Sequence, residues 1–328
     1  MTWLTWRQFR AQAWVAMAAL AALAVTLAVT GPHLATLYRT TRRGDFLNLT
    51  QAGSYHVLSL IGAFVVLAVP GLIGLFWGAP LVSRELEAGT LRLAWNQSIT
   101  RTRWLAIKLG IIGLAAMAAA GLFSLMVTWW SSPIDHANES LLGPAVFGER
   151  GIVPIGYAAF AFALGVTAGL LIRRTVPAMA TTVAAFVAAR VAVTLWVRPH
   201  LLAPVRVLSV ITQGNLNTYT QHANGPLGGP ITVAVGVNSP GAWIVSEQTI
   251  NGGGHVVASI PQVAACAGNR GATPPCFTRL AQLGYRQLVA YQPASRFWAF
   301  QWDETAIFLA LALLLAGFCF WWIRRHVS

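Results

Sequence analysis

The chain has 328 residues, of which 56% are hydrophobic and only 9% charged, and its net charge is +13. Soluble domains carry about 25% charged residues, and a soluble fold of this length leaves too much surface accessible to hide such an apolar composition. The composition therefore excludes a soluble globular protein. Because the apolar residues come in long runs, the sequence predicts an all-α polytopic membrane protein.

Six apolar runs are long enough to cross a bilayer, which takes about 20 residues. In chain order they are Ala11–Thr30, Tyr55–Val82, Leu105–Trp129, Val153–Ile172, Val176–Val197 and Thr305–Ile323. The first run is long for a signal peptide, and Gly-Pro-His follows it instead of a small-residue cleavage site, so we interpret it as a span. Pro70 in the second run is compatible with a spanning helix whose neighbours satisfy the freed carbonyl.

Aromatic residues cluster beside arginines at two places next to these runs. In residues 1–14 the pattern favours a short interfacial helix in the headgroup layer; the simpler alternative is an aromatic and arginine collar on the first span. The second cluster, "YQPASRFWAFQW", precedes the last run. It predicts an aromatic belt where the chain re-enters the membrane.

The positions of arginine and lysine predict the orientation, because cytoplasmic loops are enriched in both. With the N-terminus inside, the short inner segments hold eleven basic and two acidic side chains, while the longer outer segments hold ten and seven. We therefore predict that both termini are cytoplasmic. The basic composition then reflects membrane topology, and no nucleic-acid partner is expected.

The segment between the fifth and sixth apolar runs predicts a separate small domain. Alternating pieces such as "PITVAVGV" and "HVVASI" favour strands, and "INGGGH" is typical of a turn. Cys266 and Cys276 lie here, where oxidising conditions favour a disulfide over two unpaired thiols, whereas Cys319 falls within the last span. The predicted organisation is helices one to five with the interfacial helix in 1–197, a mixed α/β extracytoplasmic domain in 198–303, and helix six with a cytoplasmic tail in 304–328.

Arg190 is a charged residue well inside the fifth run, where an unpaired cation is costly. It is predicted either to line a cavity and meet an anionic ligand or a carboxylate such as Asp303 or Glu304, or to extend outward to the headgroups.

Several chemistries are excluded more firmly. Lys108 is the sole lysine and follows no glycine-rich turn, so the chain lacks a nucleotide-binding P-loop. Zinc spacing is absent, and no cofactor is expected.

Two carboxylates and several arginines lie between the second and third runs, in "SRELEAGTLRLAWNQSITRTRWLAIK", which we call the 83–108 segment. Gly89 can end one helix and Thr90 can cap the next. Leu91 and Trp95 then lie one turn apart and give an apolar face. Such a compact helix suits docking to a soluble partner; the alternative is an ordinary basic loop with a chance acidic pair.

The 83–108 segment resembles the signature of ABC-type-2 exporter permeases, and "GAPLVSRELEAGT" with "YQPASRFW" is similar to an actinobacterial subgroup. The matching residues are Glu85, Glu87, Gly89, Thr90, Leu91, Leu93, Ser98, Thr100, Arg101 and Lys108, and Arg84 and Trp95 complete the predicted coupling loop. The six-span layout is also similar. Two features depart from the family pattern: "NQS" replaces a common proline, and the outer domain is longer.

The resemblance implies a permease subunit that exports an amphiphile, such as a drug, antibiotic or lipid, by alternating access in the plasma membrane. It implies two copies of a cytoplasmic ATPase subunit, which would bind ATP and Mg, and a second permease chain in a homodimer or heterodimer. One alternative is a membrane protein that senses an envelope ligand through its outer domain. Another is a membrane enzyme acting on lipid-linked substrates, whose candidate residues are scattered: His200, His222, Glu247 and His255.

Overall fold

Long helices account for most of the chain in the computed structural model, which describes residues 2–42, 44–46, 54–87, 100–138, 141–221, 229–261, 263–266 and 273–326. The chain divides into two units. The helical unit comprises Met1–Asn138, Pro144–Arg198 and Trp298–Ser328, and the strand-rich unit comprises Glu139–Gly143 and Pro199–Phe297.

The helices, in chain order, are α1 (Thr2–Thr40), α2 (Ser54–Ile73), α3 (Ala79–Glu87), α4 (Arg101–Asn138), α5 (Pro144–Phe147), α6 (Val153–Ile172), α7 (Thr175–Ala192), α8 (Arg198–Leu201), α9 (Pro274–Gln282) and α10 (Phe297–His326). Short π-helical turns join α2 to α3 and α7 to α8, at Gly74–Gly78 and Val193–Val197. Among the described residues, six helical stretches have the length and composition to cross a membrane: Ala13–Thr40, Leu60–Glu87, Thr102–Ala137, Val153–Ile172, Thr175–Leu201 and Ala294–His326. The prediction of six spans is confirmed at that level.

The first helix differs from its prediction at both ends. It is continuous from Thr2, with no break between an interfacial helix and the span, and it passes through Pro32 to Thr40. A proline removes one backbone hydrogen bond, and tertiary contacts outweigh that loss here. The indole N–H of Trp130 in α4 donates to Thr30 Oγ1 at 2.9 Å, and Leu34 is fully buried beyond the proline.

Helix α6 is the buried centre of the helical unit, and small residues let α3 approach it closely. A methyl group at Gly169 would lie 2.5 Å from the carbonyl oxygen of Ala79, and one at Gly165 would lie 2.7 Å from the amide nitrogen of Ala79. Glycine permits this backbone-to-backbone contact, as is common between spanning helices. The contact fixes the position of α3, whose last turn carries two carboxylates.

The described residues of the strand-rich unit form two antiparallel sheets. The strands are β1 (Val205–Val210), β2 (Leu216–Gln221), β3 (Ile231–Val235), β4 (Trp243–Ile250), β5 (Val256–Val257) and β6 (Arg286–Gln292). One sheet has the order β1-β6-β4-β5 and the other pairs β2 with β3. The β4–β5 turn forms where glycines were expected to turn the chain, with Gly254 at φ +81°. The predicted small strand-rich domain is thus confirmed.

The boundaries of this domain differ from the prediction. Arg198 is fully buried in the helical unit, and α10 begins at Phe297. The prediction had assigned both of these residues to the outer domain. The aromatic cluster also divides between two faces. Trp298 and Trp302 are exposed and one helical turn apart, whereas Phe300 is fully buried. Helical periodicity places Phe300 in the core and places the two tryptophans on the exposed face of α10.

Candidate functional site

The structure describes the two ends of the 83–108 segment, residues 83–87 and 100–108. The predicted helix residues Gly89, Thr90, Leu91, Leu93 and Trp95 lie outside the described residues. Arg101 is the first residue of α4. The carboxylates on α3 are within the described part, and each of them contacts another helix.

Glu85 joins α3 to α4. Its Oε1 lies 2.5 Å from Nζ of Lys108, and the Lys108 side chain is only 5% exposed. The ammonium group also lies 4.6 Å from the centre of the Trp104 ring, a cation–π distance. A buried ammonium needs such partners, because an isolated charge away from water is expensive.

Glu87 joins α3 to the N-terminus of α7. One of its oxygens accepts a hydrogen bond from the backbone N–H of Thr175 at 2.9 Å, and the other accepts one from the Thr175 hydroxyl at 2.6 Å. Ser83 Oγ lies 3.0 Å from the same hydroxyl oxygen. The preceding residue, Arg174, is extended and offers no side-chain cap. Glu87 therefore supplies the acceptor that the first turn of a helix lacks.

Exposed arginines lie in the last turn of α3 and in the turn before α7. Arg84, Arg173 and Arg174 are all exposed, and Arg174 and Arg84 both stabilise the negative charge of Glu87. Arg173 ends α6 in the left-handed region, at φ 58°. The two-residue turn between α6 and α7, formed by Arg173 and Arg174, thus leads directly into the residue that Glu87 caps.

A second polar cluster is buried inside the helical unit and connects α6, α8 and α10. Arg198 donates to both carboxylate oxygens of Glu304, at 2.8 and 2.9 Å, and the Tyr157 hydroxyl donates to Glu304. All three residues are fully buried. The guanidinium also lies 4.4 Å from the ring centre of Phe147. The bidentate geometry is the one that best offsets the cost of burying two charges.

Arg190 has neither of the partners expected from the sequence. Its Nη1 donates to the carbonyl oxygen of Leu67 at 3.1 Å, and its guanidinium carbon lies 4.7 Å from the Tyr157 ring centre. Leu67 is in the helical turn before Pro70, where a proline weakens the backbone ladder and leaves carbonyls to other donors. Glu304, which was expected to pair with Arg190, is bonded to Arg198.

A third group of charges lies at one end of α4. Arg150 Nε lies 2.9 Å from Asp135 Oδ2, and its Nη1 lies 3.5 Å from Glu149 Oε2. Glu149 falls between two spans and is almost fully buried. Burial raises the pKa of its carboxyl to about 7, although the charges of Arg150 and Arg190 oppose this shift.

Sequence reasoning missed most of this network. The Arg198–Glu304 pair joins residues that are 106 positions apart, and charges at the ends of apolar runs were interpreted as loop residues. The sequence did contain one clue, because each of these charges directly adjoins an apolar run. A spanning helix that extends beyond its apolar run can bury the charged residue next to it. Arg198 and Glu304 both follow that pattern.

In the strand-rich unit, Cys266 and Cys276 form a disulfide. Nearby, a groove of ≈590 Å³ is lined mainly by apolar side chains such as Val210 and Phe277, together with hydroxyl and amide side chains such as Thr278 and Gln282. Over the residues that the structure describes, no group of three or more His, Cys, Asp or Glu side chains could hold a metal ion.

A family model described as "ABC-2 membrane transporter related" matches residues 17–198. The chain belongs to this family. The match contains Glu85, Glu87 and Arg190 and identifies the chain as a multi-pass permease of the ABC-2 type. The match ends before β1 and α10. No curated protein and no solved structure gives a significant match.

Proposed function

We propose that this permease is the membrane-spanning subunit of an ATP-driven exporter that moves an amphiphilic substrate outward across the plasma membrane. A separate ABC ATPase would bind ATP and Mg and hydrolyse the nucleotide. The carrying observation is that α3, α4 and α7 meet through Glu85 and Glu87 at the edge of the 83–108 segment. A force applied there reaches three spans at once.

The proposed transport cycle is alternating access. In this cycle the 83–108 segment and both chain termini face the cytoplasm, where the ATPase binds. Closure of two ATPase subunits around ATP would move the segment, and the attached helices would repack between inward-facing and outward-facing arrangements. Six spans form half of a pathway, so two permease chains are expected, identical or different. An apolar, alanine-rich helical unit suits an amphiphile such as a drug, antibiotic or lipid.

The test is co-purification of the permease with the ATPase encoded nearest to its gene, followed by ATP hydrolysis rates in lipid. Reversing both carboxylates, with Glu85→Lys and Glu87→Lys, should reduce the stimulation of hydrolysis that the permease gives. The matched control is Asp45→Lys, because Asp45 is also acidic but is exposed and lies outside the segment. Unchanged stimulation in the double variant would refute the coupling role of the segment.

The groove in the strand-rich unit favours a second candidate function, in which that unit binds an envelope ligand and the protein acts as a sensor. Its volume of ≈590 Å³ lies within the range of small-molecule sites, which is about 300–1,000 Å³. This alternative predicts no stable complex with an ATPase. Co-purification therefore separates the two candidates: a complex supports the exporter, and its absence with every ABC ATPase of the same cell supports the sensor.

A further inference from the structure

The last turn of α3 is attached to two other helices by side chains that could instead have faced a partner. Glu85 contacts Lys108 of α4, and Glu87 contacts Thr175 of α7. An exporter that depends on a partner ATPase must carry force from the docking loop into its spans. The inference below rests on the proposed function and assigns these carboxylates a role within it.

We infer that Glu85 and Glu87 are positioning residues that act inside this chain: they tie α3 to α4 and α7, so that a force on the 83–108 segment moves the three helices together. They do not supply the contact with the ATPase. The sequence analysis placed both carboxylates in a predicted coupling loop suited to docking on a partner, whereas their contacts in the structure lie within this chain.

Burial supports the internal role of Glu85. The Glu85 side chain is 18% exposed and that of Lys108 is 5% exposed. Glu87, by contrast, is exposed, so burial is an argument for Glu85 alone. Removing Glu85 would leave the Lys108 charge without this partner in a site that water hardly reaches, which is the costly outcome for a buried pair.

The bonding pattern of Glu87 supports the internal role of the second carboxylate. Both of its oxygens are occupied by Thr175, the first residue of α7. The same device occurs at α6, where Gln301 Oε1 accepts the N–H groups of Ile152 and Val153 at 2.9 and 3.1 Å. In both cases a side chain from another helix caps the N-terminus, and a neutral amide is sufficient at α6.

The backbone contact of α3 with α6 provides a third attachment. Gly169 brings α6 against Ala79 at the start of α3, and α6 continues into α7 through the short turn at Arg173 and Arg174. Helix α3 is therefore held at its start by packing and at its end by two carboxylates. A displacement applied to the end of α3 therefore cannot be absorbed by α3 alone.

The first experiment is a charge exchange measured on the full-length permease with its ATPase in lipid. Glu85→Lys and Lys108→Glu should each lower the kcat of permease-stimulated ATP hydrolysis by about tenfold, a typical size for a coupling effect. The affinity of the ATPase for the permease should stay within about twofold. The exchanged pair, Glu85→Lys with Lys108→Glu, should recover most of the kcat. Arg42→Glu, at an exposed position outside the 83–108 segment, is the control and should have little effect.

The second experiment uses the cap. Glu87→Gln keeps an oxygen acceptor for Thr175 and should retain most of the kcat. Glu87→Ala removes the acceptor and should lower the kcat about tenfold. This comparison remains informative if the exchanged pair fails to fold. Equal losses in Glu87→Gln and Glu87→Ala, or a weakened affinity for the ATPase in Glu85→Lys that the exchange does not restore, would overturn the inference. A wild-type chain that binds no ATPase would instead refute the proposed function itself.

Discussion

Replacing Glu149 with glutamine should remove much of the pH dependence of the stability of this protein between about pH 5 and pH 8. The carboxyl of Glu149 is almost fully buried, and burial raises its pKa from 4.5 to about 7. The folded state therefore holds a proton more tightly than the unfolded state does. The stabilisation from this proton is complete below the unfolded pKa, declines as the pH rises towards about 7, and is absent above it.

The size of the effect follows from the shift. A difference of one pKa unit is worth about 1.4 kcal/mol, so a shift from 4.5 to about 7 corresponds to about 3 kcal/mol across this pH range. Glu149→Gln keeps the shape and a neutral side chain at every pH. Relative to the wild type, the variant should therefore gain stability as the pH rises, because it has no carboxyl to ionise in a buried site.

The assay is thermal unfolding of both proteins in the same detergent at about pH 5, 6, 7 and 8. Asp45→Asn is the control, because it also neutralises a carboxyl but at an exposed position, and its profile should follow that of the wild type. Parallel profiles for the wild type and Glu149→Gln would refute the reasoning, since they would mean that Glu149 titrates equally in the folded and unfolded states.

Three further predictions concern packing, the buried ion pair and the disulfide. Gly169→Leu should destabilise the helical unit by about 1–3 kcal/mol, because a side chain there meets the backbone of α3. The control is Gly110→Leu, because a side chain at Gly110 meets no neighbour within 4 Å. Equal melting temperatures for the two variants would contradict the packing argument. Glu304→Gln should cost about 3–5 kcal/mol by leaving Arg198 charged and unpaired, and adding Arg198→Met should recover part of that loss; no recovery would mean that the pair is not the cause. Cys266→Ser should lower the melting temperature of the strand-rich unit through a loss of about 2–3 kcal/mol, and reducing agent should lower the wild type to the same value without affecting the variant.

The spans were predictable because a bilayer requires long apolar runs, and such runs can be recognised directly in the sequence. Their ends were not predictable to the same degree. The first run was predicted to end at Thr30, yet packing of α1 on α4 continues the helix through Pro32 to Thr40. Local propensity decides a helix end only where tertiary contacts are weak.

The candidate site was predictable in its residues but not in its contacts. Glu85 and Glu87 stood out as rare carboxylates, while their partners lie 23 and 88 positions further along the chain. Arg190 was recognised as an unusual charge, although its acceptor is a backbone carbonyl beside Pro70. Backbone acceptors leave no trace in side-chain patterns, so they are found only once helices are placed together.

The π-helical turn at Gly74–Gly78 sets the rotational phase of α3. Such a turn is equivalent to one residue inserted into an α-helix, and one residue corresponds to about 100° of rotation about the helix axis. With regular α-helical winding, the side chains of Glu85 and Glu87 would point about a quarter of a turn away from Lys108 and Thr175. Both attachments therefore depend on a single extra residue several turns earlier, and a rewinding of that turn would release them together. The glycines at its two ends make the wide turn compatible with close packing on α6.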